Sequence, residues 1–98
     1  MLTVEIHPEA YKELEQSKSW YDERSKNLGS EFLFAVERAV RLIQEFPARW
    51  PLYSGVTKRF LLHRFPFGLV YRYDENRIQI LAIVHTRRKP GYWEKRKL

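Results

Sequence analysis

The chain has no cysteine, which excludes disulfides and thiolate metal sites. Its four glycines stand singly, so no glycine-rich loop is available to cradle a phosphate. The three histidines, His7, His63 and His85, show no His-x-x-x-His spacing and no paired carboxylates that would complete a metal site. Neither a metal nor another cofactor is expected. No stretch approaches the roughly 20 apolar residues that span a bilayer. The start, Met1-Leu-Thr-Val-Glu-Ile-His7, lacks the basic head and apolar run of a signal peptide. The expectation is a cytoplasmic protein with no membrane partner.

Cations and aromatics are plentiful instead. The 98 residues are 44% hydrophobic and 15% aromatic, enough for one packed domain over 1–98. The formal net charge is +6, and it is polarised. Residues 58–98 hold eleven Lys/Arg against three Asp/Glu, whereas residues 1–57 hold seven against nine. A basic half suits a polyanionic or acidic partner such as nucleic acid, the ribosome or an acidic protein.

The spacing predicts a strand at 2–6, then a helix from Pro8, whose missing N–H costs nothing at a first helical position. Ala10, Leu14, Ser17 and Tyr21 carry its inner stripe to about Lys26, and Asn27-Leu-Gly29 is read as its end. Phe32, Val36, Ala39, Ile43 and Phe46 give a second helix over 30–46, closed by Pro47. Such a short joint makes an antiparallel helical hairpin. Trp20 and Tyr21 are expected between the helices, and Trp50 and Tyr53 in core or hinge packing. The period then changes to strands at 56–62, 67–73 and from Arg77 or Ile78 to Val84. The expected class is α+β, in the order β-α-α-β-β-β, with an antiparallel sheet and the hairpin on one face.

Pairing Tyr73 with Ile78 across Asp74-Glu-Asn76 sets a register. It puts Phe67, Leu69, Tyr71, Ile80, Ala82 and Val84 on one face. Gly68, Val70, Arg72, Gln79, Leu81 and Ile83 fall on the other, and Arg64, His85 and Arg87 continue it. Gly68 then leaves a space beside His85. The expected result is a concave, partly basic face left uncovered, able with the helix stripe to take an acidic amphipathic segment.

The last strand delivers His85-Thr-Arg-Arg-Lys-Pro-Gly-Tyr-Trp-Glu-Lys-Arg-Lys-Leu98 to one edge. His85 is suited to proton transfer, and Arg87 to clamping a phosphate. A strand-end histidine bonded to the backbone is the plainer reading. Tyr92 and Trp93 would stack on a base, or Trp93 would pack back and anchor the tail. His63, Arg64, Gly68, Arg72, Arg88, Lys89, Trp93, Lys95 and Arg96 make up the expected binding surface for a target or an inhibitor.

Several segments together resemble the RelE/ParE superfamily of bacterial type II toxins. They are Leu28-Gly-Ser-Glu-Phe32, Phe46-Pro-Ala-Arg-Trp-Pro51, Arg64-Phe-Pro-Phe-Gly-Leu-Val-Tyr71 and Ile83-Val-His-Thr-Arg-Arg-Lys-Pro90. The resemblance implies a growth-inhibiting toxin of a plasmid-stabilisation type, held inactive in a complex with a cognate antitoxin. RelE-like members cut mRNA on the ribosome, and ParE-like members act on DNA gyrase. By position, Arg59, Arg87 and Tyr92, with His85, would be the catalytic set of a ribonuclease. The RelE-like arginine of the third strand falls on Gly68, however, and a sheet lysine falls on Leu61. Val84-His-Thr-Arg-Arg88 is closer to ParE. The expectation is therefore a gyrase-directed toxin. A ribosome-dependent endoribonuclease is the alternative, and a non-toxic nucleic-acid-binding module a weaker one.

Overall fold

A computed structural model describes residues 2–96. The elements are β1 (Thr3–Ile6), α1 (Pro8–Arg24), α2 (Leu28–Glu45), β2 (Leu52–Ser54), β3 (Thr57–Leu61), β4 (Phe67–Tyr73) and β5 (Arg77–His85). They form an α+β fold with one sheet in the order β1-β5-β4-β3-β2. The expected hairpin and strands are present. β2 is an additional short strand, and β1 joins β5 in parallel while the other neighbours are antiparallel. Among the described residues no helix is long and apolar enough to cross a membrane.

Local chemistry explains the helices. His7 caps α1, its Nδ1 accepting the Glu9 N–H at 3.0 Å, and Pro8 follows in the first turn. Asn27 takes the left-handed conformation, φ 68°, and α2 starts immediately after it. Gly29 thus lies inside α2 and does not terminate α1 as expected. A Cβ there would stand 2.5 Å from the Lys18 carbonyl oxygen, so glycine permits the close approach of the two helices. The Gly29 N–H donates to the Asp22 carboxylate at 2.9 Å across that contact.

The helical face of the sheet holds the main core. Phe32, Val36, Ala39 and Ile43 of α2 meet Phe60, Leu69, Tyr71, Ile78, Ile80 and Ile83. Tyr21, Phe32, Phe65 and Phe67 form an aromatic cluster with centroids 5.0–6.2 Å apart. Tyr21 packs as expected, but Trp20 turns outward and is 51% exposed. Trp50 packs on Phe60.

The β4–β5 register begins as expected, with Tyr73↔Ile78, Arg72↔Gln79 and Tyr71↔Ile80. It then slips, to Val70↔Ala82, Leu69↔Ile83, Gly68↔Val84 and Phe67↔His85. The skipped residue is Leu81, which makes a β-bulge. Leu81 and Ala82 consequently point to the same side, and every later residue of β5 reverses its face. Ala82 and Val84 leave the helical face, and Ile83 and His85 join it. The expected faces are therefore wrong from residue 82 onward, while Leu81 lies on the Val70 side as expected.

The far side of the sheet is not the open concave surface that was expected. The C-terminal tail folds over it and buries Trp93 completely against Val70, Leu81, Ala82 and Val84. Tyr53 stacks on Trp93 with ring centroids 5.6 Å apart. This small second core owes its closure to one indole.

Candidate functional site

Glu13 of α1 fastens the tail. Because β1 ends opposite Ile80, the outer edge of β5 is bare of strand from Leu81 onward. The Glu13 carboxylate accepts the Ile83 N–H at 3.0 Å on that edge. It also accepts the Tyr92 hydroxyl at 2.8 Å and both Arg96 nitrogens at 3.0 Å. Arg96 donates once more, to the Leu81 carbonyl at 2.8 Å. The Glu13 and Arg96 side chains are 15% and 14% exposed, so this pair is largely desolvated, unlike the exposed pairs elsewhere. Burial, reinforced by the hydrogen bond to Glu13, raises the Tyr92 hydroxyl well above its ordinary pKa. It remains a protonated donor across the physiological range.

The four residues expected to act on a phosphate are dispersed. His85 lies on the helical side, its ring edge-on to Phe67 at 5.1 Å, and its Nδ1 accepts the Arg87 N–H at 3.1 Å. That is the plain strand-end role. Arg59 pairs with Val70 and lies on the tail side, its guanidinium 3.9 Å from the Tyr53 ring centroid. Tyr92 is held by Glu13, and Arg87 is exposed. His85 and Arg59 therefore face opposite sides of the sheet. The space over Gly68 is not beside His85. A Cβ at Gly68 would stand 3.1 Å from the Arg59 stem and 3.3 Å from Leu61, which fill it.

The other expected binding residues divide by location. Arg72 donates to the Gln79 side chain. Arg64 pairs with Glu31 at 2.8 Å, and exposed His63 precedes it. Arg88 lies over the Tyr92 ring at 4.0 Å. Lys89 and Lys95 are exposed. Trp93 is core, and Arg96 is the clasp on Glu13. Among the described residues no group of three His, Asp or Glu converges as a metal site would require.

Two recesses flank the helical hairpin. The first, about 520 Å³, runs between α2 and β3. Phe34, Leu42, Phe60 and Leu62 make its apolar wall, with Arg38 and Arg64 along it. Phe34 is 56% exposed there, an unusual position for a phenylalanine. The second, about 580 Å³, lies between α1 and the end of β5. It is lined by Trp20, Tyr21, Phe67 and Ile83, with His85 and Arg88 as its basic groups. Sequence reasoning missed Glu13 and Trp20. Glu13 sits in an ordinary Glu/Lys-rich helix face, and nothing local marks it as the partner of residues eighty positions later. Trp20, expected between the helices with Tyr21, stands outside them.

The family model for "ParE toxin of type II toxin-antitoxin system, parDE" matches residues 4–90. A solved structure, the "Chromosomal ParDE TA system from P. aeruginosa", is similar at TM-score 0.65 and 20% identity. That alignment covers 89% of this chain and 98% of the other. No curated protein sequence matches. The chain belongs to the ParE toxin family of type II toxin–antitoxin systems.

Proposed function

We propose that this ParE-family toxin arrests growth by acting on DNA gyrase in the cytoplasm, and that an antitoxin encoded beside it holds it inactive. The gyrase reading is supported chiefly by the position occupied by Gly68. Where the resemblance to RelE-like nucleases would require a catalytic arginine, there is a glycine, packed under the Arg59 stem and paired with Leu61. A phosphate drawn to Arg59 would lie across the sheet from His85, so a shared general acid–base and clamp is not assembled.

Neutralisation draws on the α2–β3 recess. Its apolar wall and its arginines Arg38 and Arg64 suit an amphipathic antitoxin helix whose polar side carries carboxylates. Plasmid stabilisation, which the family resemblance implies, is part of the same reading.

The test is inducible expression, with DNA supercoiling and mRNA ends followed together, and purified gyrase assayed against the purified chain. The expected result is lost supercoiling activity with intact mRNA. Codon-phased mRNA cuts that require translating ribosomes would replace this reading with ribonuclease action. Nucleic-acid binding without growth arrest would leave a non-toxic module.

A further inference from the structure

The α1–β5 cleft has a composition that the clasp and the antitoxin recess leave unexplained. Trp20 stands at its rim, 51% exposed, yet it is not loose. The Arg24 guanidinium lies 3.5 Å from its ring centroid and donates to the Trp20 carbonyl at 3.1 Å, while Tyr21 meets its edge. A large exposed indole fixed in one orientation loses little entropy on contact, as binding hot spots require. Tyr21, Phe67 and Ile83 extend the apolar floor behind it. Cations mark the opposite rim: Arg88 lines the cleft, and exposed Arg87 and Lys89 flank it in sequence.

We infer that this cleft is the grip on the cellular target: it takes an apolar anchor side chain of a protein, flanked by carboxylates that meet Arg88 and its neighbours. Nucleic acid fits less well, because the walls are dominated by carbon and Glu13, which lines the cleft with Gln16 and Ser17, sets a carboxylate where a phosphate backbone would lie. The antitoxin fits less well too, because the recess suited to it lies on the other side of the helical hairpin. The cleft is continuous with the basic tail through Arg88, which also covers the Tyr92 ring, so target contact extends onto a tail already fastened by Glu13. This deepens the proposed growth-arresting action and rests on it, but not on gyrase being the target.

The experiment compares wild type, Trp20→Ser, Arg88→Glu and Phe34→Ser in an inducible strain, each alone and with the adjacent gene co-expressed. Purified gyrase is assayed in parallel, and thermal melts report folding. Trp20→Ser and Arg88→Glu should need at least about tenfold more protein to arrest growth, the loss expected at a hot spot. Their melts should match wild type, and Phe34→Ser should still arrest growth while escaping rescue. Arrest unchanged in both cleft variants overturns the inference. So does a loss of rescue in them comparable with that of Phe34→Ser, since the cleft would then belong to the antitoxin. If Trp20→Ser melts early, Arg88→Glu, an exposed site, decides alone. Wild type that arrests growth and spares purified gyrase removes the gyrase reading and leaves the cleft judged on growth. Wild type that arrests nothing overturns both.

Discussion

The two sides of the sheet are closed by different means. The helical side is sealed by two amphipathic helices, whose apolar positions repeat every three or four residues and interlock with an aromatic cluster. The tail side is sealed by Trp93 and a clasp at Glu13. The helical side is redundant, since many contacts share the load. The tail side is concentrated, and one carboxylate accepts four hydrogen bonds from three residues. The same tail carries the basic residues, so the surface proposed to meet a partner hangs on the less redundant core.

Breaking the comparison at its centres should give the largest effects. Phe32→Ala and Trp93→Ala should each cost about 3–5 kcal/mol, the usual range for emptying a buried aromatic site. They should differ in kind. Trp93→Ala should expose the tail to trypsin at Arg88 and Lys95 below the melting temperature, and Phe32→Ala should not. Equal tail protection in both would mean that the two cores are one cooperative unit.

Next comes Glu13→Ala, expected to cost about 2–3 kcal/mol by stranding Arg96 and the Ile83 N–H. Glu13→Gln should lose less, because its amide oxygen still accepts one of these donors. Urea unfolding reads both, and a loss below about 1 kcal/mol for the alanine would demote the clasp to a surface pair.

Gly29→Ala sharpens the helical side by its sign. Helix propensity alone would make it stabilising by about 1 kcal/mol. The clash with the Lys18 carbonyl should instead make it destabilising by about 1–2 kcal/mol. A raised melting temperature would show that the hairpin has room to open.

The smallest effect separates the two sides by pH. Burial pushes the Tyr71 hydroxyl, which donates to the Pro47 carbonyl at 2.7 Å, up to about 12 on the helical side. Tyr92 is raised on the tail side. In the unfolded chain both ionise near about 10. Above that pH the unfolded state holds fewer protons than the folded one, so stability present below it is lost as pH rises. Urea unfolding of Tyr92→Phe at a series of pH values should show a flatter decline in stability above that pH than wild type. An unchanged decline would place the effect elsewhere.

Much of the fold was legible before the structure. The stripe from Phe32 to Ile43 predicted the buried face of α2, and Pro8 marked the start of α1. Asp74-Glu-Asn76 set the first three β4–β5 pairs correctly. The candidate site was legible mainly as composition: a basic tail with Tyr92 and Trp93, in which packing back was one of two readings of Trp93. The faces from residue 82 onward were misread. Ile78 to Val84 is so uniformly apolar that either phase buries well, and no glycine or proline announces a bulge.

The sequence by itself determined the elements, their order, the polarity of charge and the family likeness, because periodicity and short motifs are local properties. Tertiary structure decided which face each late residue of β5 occupies, that the tail closes the second face, and that Glu13 holds it. Those outcomes depend on a single unpaired residue at Leu81 and on contacts between positions some eighty residues apart. Neither leaves a mark in local spacing. Once the bulge turns Leu81 and Ala82 to the same side, the apolar surface they make with Val84 must be covered, and Trp93, with Tyr53 and Tyr92 packed beside it, covers it.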